Sequence, residues 1–308
     1  MIIDCHGHFN TQDDFVRIAE KYATDKWGKR VLKAIKAGPN PSAAEEATTE
    51  EAWIESLDRY GVDKVVLQVA PFGNNDKVAK FISEATHSDR FIGVANIDFM
   101  DPEGSNSAQE LERCVKELGL KGVGELYPNI GPWDPSDDKC FPVYEKAQEF
   151  GVPIMMHFGL ELFPALFNHQ MYNDPYLLDR ALRAFPDLNF IVCHMAGDRC
   201  GDLYALMHCR RNLHAEISSF TTHIPTPITA FGTISPQTVL KEFLKYHSDR
   251  LLWATDVQGP YFTDVAVKSV QGETIADNYV VKMLDELGAT EEQKAKILGG
   301  NAAKLFKP

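Results

Sequence analysis

Eight short apolar runs recur along the chain, most of them separated by amphipathic stretches. They read IIDCHGH, DKVVLQVA, RFIGVANI, LKGVGELY, VPIMMHF, LNFIVCHMA, NLHAEISS and RLLWATDV. Each has the length of a buried parallel strand, and most are apolar on both faces rather than strictly alternating. Between them, NDKVAKFISEATHS, SAQELERCVKELG, FPVYEKAQEFG, DPYLLDRALRAFP and PQTVLKEFLKYHS carry apolar residues at helical spacing. Several of these close on Gly, or with Pro just beyond, as helix stops do. Strands that alternate with helices build right-handed βαβ units around a parallel sheet. Eight such units in 308 residues predict an α/β fold, a (β/α)8 TIM barrel, as one domain over residues 1–308.

Residues 11–50 are too long for one βα connection. A charged helical stretch is followed by the turn-rich PNPSAAEEATTEE. The segment reads as a helical insertion after strand one, lying over the barrel mouth as a lid. Residues 258–277 read as a second long loop. The tail TEEQKAKILGGNAAKLFKP reads as a C-terminal packing helix with a Gly-Gly interruption.

The chain is 44% hydrophobic and carries a formal charge of -13. So acidic a chain lacks the basic footprint that nucleic acids and anionic membranes require, which leaves a small molecule as the expected partner. No run approaches the roughly 18 apolar residues of a membrane span. No charged segment followed by a long apolar run marks a secretory signal. The six cysteines include no C-x-x-C pair, which suits free thiols in a reducing, cytoplasmic setting.

Polar residues fall at particular places in this pattern. Active-site groups of barrel enzymes project from the C-terminal ends of the strands. Strand one ends in His6 and His8, strand four in Glu125, strand five in His157, strand six in His194 and strand eight in Asp256. Residues i and i+2 share a face, so His6 and His8 aim at one point if that face is the interior, and Gly7 lets the neighbours pack close. A lone strand-end His is more often a hydrogen-bonded structural residue than a ligand. Six such residues on five strands point instead to a metal site, for which imidazole and carboxylate make an N/O donor set. Cys5 and Cys193 read as small core residues. His87, His169, His208, His214, His223 and His247 lie away from the strand ends, where surface or packing roles are expected.

An H-x-H on strand one, a His on each of strands five and six and an Asp on strand eight resemble the amidohydrolase superfamily. Within it, the chain is most similar to the amidohydrolase-related branch that includes aminocarboxymuconate-semialdehyde decarboxylase. The motifs run from His6 to Asp256, and the NAAKLF tail also fits. The resemblance implies one divalent metal held by His6, His8 and His157, with Zn first and Mn as the other candidate. It gives Asp256 the role of further ligand or proton-accepting base, and His194 that of polarising the substrate or shuttling protons. Glu125 would be a fourth ligand or would support a second ion. The branch often forms dimers, so a homodimer is compatible with it.

Three stretches depart from the decarboxylases of that branch: GVGEL, CHMAGDRCGD and WATDVQGPYF. The leading expectation is therefore a hydrolase that attacks a small lactone, amide or similar carbonyl with metal-activated water. The alternative is a non-oxidative decarboxylase of an aromatic or unsaturated carboxylic acid, with a hydratase third. Arg199 is the candidate for holding a substrate carboxylate through its planar fork, unless it pairs with Asp198 or Asp202. Tyr127 and Phe158 are candidate substrate contacts, with Trp27, Trp133 and Tyr261 as further pocket candidates.

Overall fold

A computed structural model describes residues 1–9, 49–69, 74–99, 105–130, 133–159, 169–218, 228–229, 232–233, 235–259 and 279–308, with the isolated positions 20, 26, 29 and 33. The eight expected strands are all present: β1 Ile3–His8, β2 Lys64–Gln68, β3 Phe91–Gly93, β4 Val123–Leu126, β5 Ile154–Met156, β6 Phe190–Val192, β7 Leu213–Glu216 and β8 Leu251–Leu252. A short β9, Val257–Gln258, continues β8 beyond a break and pairs with β1. Every pairing among them is parallel, in the orders β9-β1-β2-β3 and β4-β5-β6-β7-β8. A bridge between Ala95 and Val123 joins the two sheets on one side. On the other, Cys5 N–H donates to the Trp253 carbonyl at 3.2 Å and Asp256 N–H to the His6 carbonyl at 2.8 Å. The sheet is thereby closed into the expected barrel.

Helices α1 Glu50–Tyr60, α2 Asn75–Glu84, α3 Ser105–Lys116, α4 Phe141–Phe150, α5 Asp179–Ala184, α6 Cys200–Cys209 and α7 Pro236–His247 lie between the strands. The local chemistry sets their ends. The Thr49 hydroxyl caps α1 by accepting from Ala52 N–H at 3.2 Å. Gly61 and Gly151 stop α1 and α4 in the left-handed conformation, at φ 66° and 64°. Neither α1 nor α6 was legible as a helix in the sequence. The start of α1 reads as the tail of a turn-rich linker, and α6 is weakly amphipathic because its apolar residues are not gathered on one face.

Two apolar layers result. Ile3, Cys5, Val66, Ile92, Val94, Met155, Ile191, Cys193, Leu252 and Ala254 fill the barrel interior, where Cys5 and Cys193 are core residues as expected. The C-terminal segment Glu291–Ala295, a π turn over Lys296–Gly300 and Asn301–Phe306 together make the expected terminal helix. Its Ala302, Leu305 and Phe306 join the interior cluster and plug the barrel at the end where β1 begins. Gly299 makes that seat possible, since a Cβ there would lie 2.4 Å from the Met1 carbonyl oxygen. A second, larger cluster fills the space between the strands and the helices.

The expected insertion at 11–50 lies outside the described residues, apart from helical positions at 20, 26, 29 and 33 and the start of α1. Most of the expected loop at 258–277, Trp27, His223 and Tyr261 lie outside them too. No helix among the described residues is long and apolar enough to cross a membrane.

Candidate metal centre

Two bulges turn the interior face from apolar to polar at the C-terminal end of the strands. In β1 the register with β2 shifts between Asp4 and Gly7, so two residues stand opposite Val66. A bulge of this kind re-aims side chains. Cys5 therefore stays in the apolar interior while His6 and His8 both face the axis above it. In β4 the register with β5 shifts between Val123 and Leu126, and this places Glu125. Gly7 is required where it stands, because a Cβ would meet Val65 Cγ2 at 2.8 Å and Val257 Cγ1 at 3.6 Å.

Asp256 and His194 reach the axis differently. Both have positive φ, 59° and 55°. Met195 and Ala196 follow His194 in the same region, at 48° and 56°, and Gly197 at 52°. Non-glycine residues held there cost about 1–3 kcal/mol each and persist where the surroundings enforce them. Buried Asp4 supplies part of that enforcement for Asp256. It accepts from Thr255 N–H at 3.0 Å, from Thr255 Oγ1 at 2.6 Å and from His6 N–H at 3.1 Å. This single carboxylate ties the β1 bulge to the turn that carries Asp256.

The polar residues expected at the strand ends are thus brought together. His6 Nε2 and His8 Nε2 are 3.0 Å apart. Glu125 Oε2 is 3.2 Å from His6 Nε2 and 3.6 Å from His8 Nε2. Asp256 Oδ1 is 3.4 Å from His6 Nε2 and 3.1 Å from His8 Nε2. One donor atom from each of these four residues lies within 4.8 Å of the others. His157 Nδ1 is 3.1 Å from Glu125 Oε1, and His194 Nε2 is 3.3 Å from the same oxygen. Asp256, at 25% side-chain exposure against 2% or less for the other three, marks the side open to solvent.

Burial acts against charge in His6, His194, Glu125 and Asp256, and their mutual attraction overcomes it. The His6 imidazole is held well above its usual range by Glu125 and Asp256 despite its burial. His194, for which burial also works downward, is raised to about 9 by Glu125, Glu216 and Asp256. Burial raises the Glu125 carboxyl, yet the His6 charge and hydrogen bonds from His157, His194 and His6 hold it well below its usual range. Asp256 is lowered by His6, by its hydrogen bond to His8 and by the His194 charge, again against its burial.

Two buried residues of this ring are absent from the sequence-based expectation. Glu216 ends β7, and its Oε1 lies 3.2 Å from His6 Nδ1. Gln68 ends β2 in register with His8. Both amide atoms of Gln68 are buried without a hydrogen-bond partner among the described residues. The available signal was the alternation itself: Val66 and His214 face the interior, so Gln68 and Glu216, two residues on, must do so too.

The remaining candidates are placed elsewhere or otherwise. The Tyr127 hydroxyl donates to Glu125 Oε2, and its ring stacks on His157 with centroids 5.1 Å apart. Tyr127 therefore supports the centre directly. Phe158, 1% exposed, packs in the outer core between strands and helices. Trp133 is stacked on Phe99 in the same core. Arg199 is engaged by Asp174 at 2.6 Å and Asp202 at 2.8 Å, the ion-paired outcome that the sequence left open.

An eight-stranded parallel barrel whose C-terminal rim gathers two co-facial histidines, two further histidines and two carboxylates defines a class of metal-site barrel. The family model described as Amidohydrolase matches residues 3–307, and the chain belongs to that family. It is 29% identical over 234 residues to 2-keto-4-carboxy-3-hexenedioate hydratase of Sphingobium sp., covering 64% of this chain and 66% of that protein. It is 32% identical over 120 residues to 2-amino-3-carboxymuconate-6-semialdehyde decarboxylase of Dictyostelium discoideum, covering 34% of this chain and 32% of that one. The match thus spans about a third of the decarboxylase and just under two thirds of the hydratase. The 5-carboxyvanillate decarboxylase of Novosphingobium aromaticivorans, solved with manganese and 4-hydroxy-3-methoxy-5-nitrobenzoic acid, shares the fold. Its TM-score is 0.68 at 19% identity, covering 100% of this chain and 96% of that one.

Proposed function

We propose that this chain is a metal-dependent lyase of a small carboxylic acid, with non-oxidative decarboxylation as its reaction. The similarity to decarboxylases supports this better than the hydrolysis of a lactone or amide that the sequence favoured. The hydratase relative supports a second reading, addition of water to an unsaturated acid.

The observation that carries the metal is the facing pair of ring nitrogens. His6 Nε2 and His8 Nε2, 3.0 Å apart and buried, cannot both present lone pairs to each other without a cation or a proton between them. With Oε2 of Glu125 and Oδ1 of Asp256 they form a compact N/O set that suits Zn or Mn. His157, hydrogen-bonded through Nδ1 to Glu125, borders this set as the remaining histidine of the expected ligands. When bound, a divalent ion supplies Lewis acidity, holding substrate oxygens and stabilising the negative charge that develops.

The chain's own groups do the rest. His194 stands beside the donor set on its left-handed turn, its Nδ1 occupied by Ser218 Oγ at 2.8 Å. Its Nε2 is thereby the nitrogen available to hand a proton to the carbon that loses CO₂. Asp256, on the solvent side, is the group that exchanges protons with substrate or water. The barrel walls and the plug formed by Leu305 and Phe306 keep water from the opposite end of the interior. Six free thiols, five of them buried, support a cytoplasmic setting.

The test is a panel of hydroxylated aromatic acids, unsaturated dicarboxylic acids and lactones, each incubated with zinc- or manganese-loaded protein. The expected result is CO₂ release from a member of the acid set, abolished in Asp256→Asn. Water addition without CO₂ would move the assignment to the hydratase reading. Lactone opening with neither would overturn the lyase assignment.

A further inference from the structure

Glu216 is fully buried at the end of β7, and both its oxygens are engaged, Oε1 by donors from two other parts of the centre. Oε1 lies 3.2 Å from His6 Nδ1, accepts from His194 N–H at 2.8 Å and accepts from Ser218 Oγ at 2.9 Å. Oε2 accepts from Ser218 N–H at 2.6 Å. Ser218 Oγ, having given its proton to Glu216, has only lone pairs to offer His194 Nδ1 at 2.8 Å. That nitrogen must then carry the hydrogen.

We infer that Glu216 is the positioning residue of this centre: one carboxylate, directly and through Ser218, sets the ring tautomers of both His6 and His194. The first arm is direct. A carboxylate can only accept, so His6 holds its hydrogen on Nδ1 and turns the Nε2 lone pair to His8, Glu125 and Asp256. A carboxylate behind a metal-binding imidazole fixes the ring and raises its basicity as a ligand. The second arm runs through Ser218 and leaves His194 Nε2 facing the donor set. A third contact, to the backbone N–H of His194, pins the start of the left-handed turn.

His6, His194 and Glu216 also lie close enough together to suggest a second cation. The donors explain the cluster without one. Backbone N–H, hydroxyl and imidazole N–H groups all point at Oε1, and His194 Nδ1 is already given to Ser218. A cation at that oxygen would face hydrogens rather than lone pairs. The coupling also explains why a buried charge is kept here at all. A glutamine could fill the space but would turn an NH₂ toward donors on one side.

The inference rests on the metal-centre reading for its His6 arm. Its experiment separates the two. Protein labelled with ¹⁵N-histidine and loaded with zinc is examined by long-range ¹⁵N–¹H correlation, with His6 and His194 signals assigned by their loss in His6→Asn and His194→Gln. The expected pattern is Nδ1–H for both rings. A neutral Nε2–H tautomer, with Nδ1 bare, at either would overturn the inference. In parallel, zinc affinity is measured by chelator competition. Glu216→Gln should bind zinc about 10–100-fold more weakly than the unsubstituted protein. Equal affinity would also overturn it. Should Glu216→Gln not fold, the tautomers of the unsubstituted protein decide alone. If the unsubstituted protein holds no zinc, the metal-centre reading fails, while the His194 tautomer remains readable and still tests the Ser218 arm.

Discussion

Gly159→Ala reaches the candidate site without touching any of its donor atoms. Gly159 has φ +95°, and an added Cβ would lie 2.4 Å from the Ala196 carbonyl oxygen, 2.5 Å from its carbon and 2.8 Å from Gly197 nitrogen. All three are backbone atoms of the left-handed turn that carries His194, so no flexible side chain can move aside. Two costs add. A non-glycine residue held at positive φ costs about 1–3 kcal/mol. Forcing a methyl into a packed site costs typically about 1–3 kcal/mol more. The expected loss is about 2–6 kcal/mol, a large share of the roughly 5–15 kcal/mol that holds a domain folded. Gly201→Ala is the control. It lies in α6 with nothing within 4 Å of the point where its Cβ would stand, so Ala there should be neutral or stabilising by up to about 1 kcal/mol. Urea unfolding followed by circular dichroism measures both. The turn should also lose its grip at His194 N–H, 2.8 Å from Glu216, so turnover of any acid found active should fall in Gly159→Ala alone. A Gly159→Ala protein within about 0.5 kcal/mol of the parent, the usual scatter of neutral surface changes, would refute the claim that the two backbones are in forced contact.

Other predictions follow from the same contacts. His214, 8% exposed with Nε2 on Asn189 Oδ1, is pushed down to about 4 by burial and then by the Arg250 charge. The unfolded chain, with an ordinary imidazole near 6.5, takes up that proton first on acidification. Stability is therefore complete above about pH 6.5 and is lost toward about pH 4, by about 3 kcal/mol for this residue. Urea midpoints of His214→Gln should lose that part of the slope, and an unchanged slope would refute it. Zinc at about 100 times its dissociation constant should raise unfolding stability by about 2.7 kcal/mol. Chelation should reverse the gain, and His8→Ala should show no gain in a thermal scan. Asn212 donates through Nδ2 to the carbonyls of Leu182, Phe185 and Leu188 at 3.2, 2.9 and 3.0 Å, tying off the end of α5. Asn212→Ala should cost about 1–3 kcal/mol in denaturant unfolding through these unsatisfied carbonyls, while zinc affinity stays at the parent value.

What the sequence determined by itself was the order of the barrel and most of its polar rim. Strand length, helical spacing and the Gly and Pro stops are local properties, so eight strands could be counted and their C-terminal ends located before any contact was known. His6, His8, Glu125, His157, His194 and Asp256 were visible because each interrupts or closes an apolar run. Tertiary structure alone decided how those residues meet. The bulges at β1 and β4 depend on register with β2 and β5, and register is a property of two strands. The left-handed turns at His194 and Asp256 run against local preference, and they exist because Glu216 and Asp4, distant in sequence, hold their N–H groups and neighbours. Gln68 and Glu216 look like ordinary polar residues in apolar runs until the closed barrel turns them inward, and Arg199, for which the sequence offered Asp198 or Asp202 as a partner, is held by Asp202 and also by Asp174, which only the fold brings near. A chain can spell out which residues end its strands, but the direction each one faces is set by the strands on either side.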